Sequence, residues 1–265
     1  MNLTVWFLYF ILYSFLGWAY ESTLCSITEK RLVNRGFLTG PLCPVYGFGA
    51  LLILLVFDDP KTGLVPLFLS SMVLTSTVEY LTSVILERLF HTRWWDYSGR
   101  PFNIHGRVFL LGALVFATFS VLLVRVLHPV MAEAIGRIPA YFQAVSASAI
   151  LALFLSDLFL TVRHLLLLNG RLAAVREDLE RHVREGRLRV EDLKLMLQEK
   201  IEDTEIYSDK VKALFQKGRF MNRRLFNAFP QMRPLKESEI FNKLKNTYVE
   251  NRKKIDEKIT KFRDS

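Results

Sequence analysis

The sequence predicts an all-α membrane protein. Residues 1–168 form a polytopic helix bundle of about five spans, the second broken by glycine and proline, and residues 169–265 form a charged cytoplasmic helical tail. Three observations predict it. Runs of Leu, Val, Phe and Ile recur up to Leu168 at the roughly 20-residue length a bilayer demands. Beyond that point charge takes over: residues 1–168 hold 11 Lys+Arg and 9 Asp+Glu, residues 169–265 hold 24 and 17. The few basic residues of the first part collect in alternate links.

The first span runs from Leu3 to Leu24. It lacks a basic flank before it and a small-residue cleavage site after it, so it reads as a retained helix and not as a signal peptide. The second has a clean apolar stretch only from Ala50 to Phe57, too short to cross alone. It reaches spanning length with the lead-in GFLTGPLCPVYGFG, residues 36–49, which carries four glycines and two prolines. Free backbone groups cannot face lipid, so this piece must be buried in protein or line a wet cavity. Leu64–Leu89, Val108–Leu127 and Pro139–Leu168 supply the remaining spans, the last long enough to protrude.

Orientation follows from the basic links. Lys30, Arg31 and Arg35 follow the first span, and Arg93, Arg100 and Arg107 follow the third, with Arg88 at its edge. The opposite links hold Lys61, Arg125 and Arg137. Five spans in a cell membrane, with the N-terminus outside and the tail in the cytoplasm, put each basic segment on the cytoplasmic side. A re-entrant piece at 36–49 is the alternative.

The tail reads as helices. Leu172, Val175, Leu179 and Val183 recur at three and four, with Gly186 as a stop, and Leu193, Leu197, Ile201, Val211, Leu214 and Phe215 continue the pattern. Phe241, Tyr248, Ile255 and Phe262 lie seven apart. That seam fits packing on neighbouring helices or a coiled coil with a second copy or another chain. RFMNRRLFNAFPQMR, residues 219–233, mixes Arg with Phe and Met and suits an anionic membrane surface or tail packing.

Ionisable groups inside spans mark sites or buried pairs. Four stand out: Glu21, Glu79, Glu87 and Asp157. Thr75, Glu79, Ser83 and Glu87 are spaced by four and share a helix face. Gln143, Ser146, Asp157, Thr161 and His164 share another, and Ser14 and Glu21 a third. The three stripes are expected to meet in one polar core. Arg35 and Arg107 are the counter-charges expected for Glu21 and Glu87, whereas Glu79 has no basic residue near its level.

The link RWWDYSGRPFNIHGR, residues 93–107, concentrates polar chemistry. Trp94, Trp95 and Tyr97 suit an interfacial aromatic belt. Asp96 and His105 join the polar set, and Asn103 and Arg107 are expected to reach carboxylates on neighbouring helices. His105 and His164 fit hydrogen-bonded residues near a membrane end better than ligands. Cys25 and Cys43 have no ligand partner at metal spacing and read as packing residues. There is no phosphate-binding loop, nucleophile elbow or H-E-x-x-H, so no catalytic residue, cofactor or metal is expected, and the basic tail needs no nucleic acid to explain it.

Several motifs in order carry a resemblance: YE at 20–21, NRGFLTGPLCPVYGFG at 34–49, EYLTSVILE at 79–87 and WWDYSGRPFNIHGRV at 94–108. Over roughly residues 5–165 the chain resembles the putative ABC-transporter type IV family, the CmpB-like permeases. The resemblance implies a permease subunit that relies on a separate ATPase chain. A sensor or scaffold acting through the tail, and a membrane-embedded enzyme acting on lipid with Glu79 or Glu87 as base, are the two other readings of the same residues.

Overall fold

The computed structural model describes residues 2–57, 62–184, 219–229 and 231–234. It is helical, and its described residues fall into two compact units. One holds residues 1–89 and 94–161, the other 90–93 and 162–265.

In the first unit, α1 spans Leu3–Thr28. Its start is set by Asn2, whose Oδ1 accepts the Thr4 N–H at 3.0 Å, satisfying one of the donors that a helix start leaves open. The chain then runs without regular structure to Cys43, whose N–H donates to the Ser14 carbonyl halfway along α1. There α2, Pro44–Val56, begins with a proline in its first turn, where the missing N–H costs nothing. Its 13 residues rise about 20 Å, short of a hydrocarbon core of about 30 Å. The broken second span is therefore an irregular lead-in followed by a half-length helix.

Helix α3 spans Leu64–Phe90. The β2 (Asn103–Ile104) and β3 (Val108–Phe109) pair lies in the link that follows. α4, Leu110–Leu122, continues through a π-helical turn, Leu123–Leu127, into α5, His128–Gly136. Pro129 explains the turn. It has no N–H to give, and its ring crowds the carbonyl of Arg125 four residues back, which a widened turn relieves. The fourth span thus starts two residues later and ends nine residues later than its apolar run suggests. α6, Ala140–Arg184, is one helix of 45 residues that joins the fifth span to the first helix read in the tail.

Four helical runs are long and apolar enough to cross a membrane: Leu3–Thr28, Leu64–Phe90, Leu110–Gly136 and Ala140–Arg171. They leave large apolar side chains uncovered along their length, among them Val73, Leu81, Leu111, Leu153 and Phe159, as lipid-facing helices do.

Packing between α1 and α2 depends on small residues. A Cβ on Gly17 would overlap Tyr46, and a Cβ on Gly47 would overlap Ser14 and fall 2.6 Å from the Phe10 carbonyl. With no apolar drive between helices in lipid, such close backbone approach supplies the attraction. A second cluster joins Tyr9 and Tyr13 of α1, Ile53 and Leu54 of α2, and Leu123 of the π turn. There Tyr13 Oη and His128 Nδ1 share a hydrogen bond at 2.9 Å, and the His128 ring stands edge-on to Tyr9 at 4.9 Å. Arg125 donates through Nη2 to the Thr62 carbonyl.

In the second unit, β1 (Thr92–Arg93) pairs antiparallel with β4 (Arg233–Pro234), Thr92 opposite Pro234. α7 spans Arg219–Ala228. His164 Nε2 and Asn222 Oδ1 lie 2.8 Å apart, and Asn169 donates to the Phe90 carbonyl at 2.8 Å. Leu225, Phe226, Phe229 and Met232 are buried, as are Asn222 and Arg224. Within the 219–233 segment, Phe226, Phe229 and Met232 are thus packed inside this unit. Residues 193–215 and the seam from Phe241 to Phe262 lie outside the described residues.

Candidate functional site

Three of the four carboxylates that the sequence singles out hold the bundle together. Asp157, midway along the apolar part of α6, accepts the N–H of Thr39 at 3.1 Å and of Gly40 at 2.8 Å. Thr161 adds a hydroxyl at 3.3 Å from the same carboxylate and lies 3.5 Å from the Thr39 hydroxyl. These bonds satisfy the irregular lead-in where no water would otherwise reach it. The room for them comes from Gly40, where a Cβ would stand 3.2 Å from Asp157 Oδ2.

Glu21 accepts the Tyr46 hydroxyl at 2.6 Å on one oxygen and faces Arg35 Nε at 3.7 Å on the other. Arg35 is itself placed by Ser22, whose Oγ accepts the Arg35 N–H at 3.0 Å. Trp18 Nε1 donates to Asn34 at 2.7 Å, and Asn34 in turn donates to the Thr39 carbonyl at 2.9 Å. The lead-in is thus tied to α1 on one side and to α6 on the other.

Glu87 is 4% exposed and pairs with Arg107 Nη2. Arg107 also stacks over the Tyr80 ring, 5.3 Å from its centre. The pair joins α3 to the hairpin of the following link.

Glu79 differs from these three. It lies on α3 two turns before Glu87, half-buried, and no hydrogen-bond or ion-pair partner within reach is found among the described residues. Its electrostatic neighbours are Glu21 and Tyr97. The Tyr97 hydroxyl is pushed well above its usual range by burial, with the Glu79 and Glu21 carboxylates adding to the effect and Arg35 and Arg100 opposing it. α1, α3, the lead-in and the 91–109 link therefore bring Glu21, Arg35, Glu79 and Tyr97 into one electrostatic neighbourhood.

The 91–109 link folds on itself. Asn103 is its hub: Nδ2 donates to the Ser98 and Arg100 carbonyls at 3.3 and 2.7 Å, and Oδ1 accepts the Gly106 N–H at 2.9 Å. The chain reverses at His105 and Gly106, both at left-handed φ, 53° and 68°. Glycine is required at the second position for this φ and because a Cβ would fall 2.6 Å from Asp96 Oδ1 and overlap Ser98 Oγ. Asp96 Oδ1 accepts the Ser98 hydroxyl at 2.5 Å, and His105 Nδ1 meets the Tyr80 hydroxyl at 3.1 Å.

Several expectations need correction. Asn103 reaches no carboxylate; its amide is spent on the backbone of its own link. Trp94 is 3% exposed, Trp95 donates to the Arg107 carbonyl at 2.9 Å, and Tyr97 packs on Phe109 at 4.6 Å, so each of these rings has a place in the packing of the link. The α6 stripe does not converge on one core. Gln143 donates to the Ile135 and Ile138 carbonyls at the end of α5, Ser146 returns to its own helix at Phe142, Asp157 holds the lead-in, and His164 bonds Asn222 in the second unit.

Tyr46, Tyr80 and Thr39 are the participants that sequence reasoning left out of the polar set. Tyr46 sits within the glycine–proline motif and Tyr80 beside Glu79, so both were adjacent to a signal, though nothing in the spacing gave them their partners. Among the described residues no group of His, Cys, Asp and Glu could hold a metal ion.

A family model described as putative ABC-transporter type IV matches residues 8–162, more than half of the chain and all of the residues that form this neighbourhood. No curated protein and no solved structure matches.

Proposed function

The chain belongs to the putative ABC-transporter type IV family, and from that premise we propose that it is the membrane-embedded permease subunit of a transport system whose ATPase is a separate chain. Its fit to a membrane permease-like protein rests on the family and on four apolar helices of spanning length. In this reading the N-terminus is outside, and the 29–43 and 91–109 links and the tail are cytoplasmic, following the basic residues.

One observation carries the reading to a site. Of the five carboxylates in the apolar helices, Glu21, Glu87, Glu133 and Asp157 are committed to structural bonds, and Glu79 is not. A half-buried acidic side chain left without a counter-ion inside a span is costly and belongs to the transported species or to a proton. A short helix behind an irregular segment is how transporters place a site near the midplane, and here that segment is fastened to α1 and α6, so movement against Glu79 on α3 would carry those helices with it.

Purification of the full chain from its native membranes in mild detergent, followed by mass spectrometry, tests the assignment. A stoichiometric ATPase chain, with ATP hydrolysis that depends on this protein, is expected. Recovery without any nucleotide-hydrolysing partner would remove the permease reading.

A further inference from the structure

The outer face of the 98–109 link points to an interaction surface. Asn103 is turned to its backbone partners, while its neighbours on either side, Phe102 and Ile104, are 80% and 57% exposed, and Arg100, two residues before Phe102, is exposed as well. Phe102 adopts φ 51°, a conformation that L side chains rarely take and that the surrounding bonds must impose. The fold thus spends strain to hold an aromatic ring outward on a rigid support.

What covers that ring is fixed by its level. The Phe102 carbonyl accepts the N–H of Leu110, the first residue of α4, at 3.2 Å. Phe102 therefore lies beside the point where the apolar run Leu110–Gly136 begins, and Leu110 and Leu111 are themselves exposed there. On the other flank His105 bonds Tyr80 of α3, and Leu81 and Ile85 are exposed on that helix. An aromatic ring and an isoleucine placed among lipid-facing leucines, next to a guanidinium at the edge, fit the boundary between acyl chains and phosphate headgroups.

We propose that Phe102 and Ile104 seat in the leaflet that holds the first turn of α4, with Arg100 on the phosphate of an anionic lipid. The same hairpin carries Arg107, which pairs with Glu87.

The test uses the full chain in nanodiscs with and without phosphatidylglycerol. Phe102→Trp is exposed on its support and leaves the buried packing untouched. Relative to the unsubstituted protein, its added emission is expected at short wavelength, quenched by lipid brominated high on the acyl chain and not by aqueous iodide. Arg100→Glu in the same background is expected to lose most of that lipid quenching in the anionic discs. Quenching by iodide alone would place the ring in water. Shielding from both quenchers would place it against a second copy or another protein. Lipid quenching indifferent to both phosphatidylglycerol and Arg100 would remove the headgroup contact. Each of these three overturns the proposal.

Discussion

Asn103 and Gly106 show why single residues in a membrane-protein link are so constrained. The amide of Asn103 closes three bonds to backbone that would otherwise be open, and Gly106 fits a turn that no Cβ can enter. Gly106→Ala is expected to lower stability by about 1–3 kcal/mol, from left-handed strain and crowding together, read as a lower melting temperature in detergent. At the Glu87–Arg107 pair the sign of a double change is informative. Replacing Arg107 (Arg107→Met) takes the hairpin's guanidinium away from a buried carboxylate and is expected to lower stability. Adding Glu87→Gln to that background is expected to restore part of the loss, and a double variant as unstable as the sum of the two singles would contradict the pairing. At this scale the carboxylates and arginines were legible in the sequence because charge in an apolar run is conspicuous. Their partners were only partly legible. Arg35 and Arg107 could be matched to Glu21 and Glu87 by membrane level, but a hydroxyl such as Tyr46 or a backbone amide such as Gly40 carries no comparable mark.

Among the elements, the lead-in before α2 is the feature that sequence composition announced and geometry explained. Glycine and proline foretold irregular backbone, and the structure adds how it is satisfied: Asp157 from α6, Asn34 just before the lead-in and Ser14 from α1. Asp157→Asn keeps one acceptor oxygen but sets an N–H group against a backbone N–H. It is expected to accelerate hydrogen exchange at the Thr39 and Gly40 amides by about tenfold or more, which mass spectrometry of the 29–43 peptide reads. Unchanged exchange there would show that the carboxylate does not hold the segment. The π turn at Leu123–Leu127 was not legible, because its cause, Pro129, lies beyond the apolar run and acts four residues back. The joining of the fifth span to the first tail helix was missed for a similar reason. A change from apolar to charged composition at Asn169 marks a change of surroundings, not a break in the helix.

For the molecule as a whole, a helical membrane protein followed from the length of the apolar runs, and the four long apolar helices agree with it. What composition could not show is how the polar residues are apportioned. Three stripes on three helices suggested one polar core, yet most of those side chains are spent on fastening irregular backbone and helix ends. The neighbourhood that remains is small: Glu79, facing the Glu21–Arg35–Tyr46 group and Tyr97. A permease that must change shape needs both kinds of group, those that hold each state together and one left for what it carries.

Glu79 alone among these carboxylates has no partner among the described residues. A hydrophobic carbodiimide reacts from within the bilayer with carboxyl groups that are not held in an ion pair, and peptide mass spectrometry locates the adduct. Applied to the full chain in its membrane, it is expected to label Glu79 and to spare Glu21, Glu87 and Asp157. Labelling of any of those three with Glu79 untouched would contradict the account.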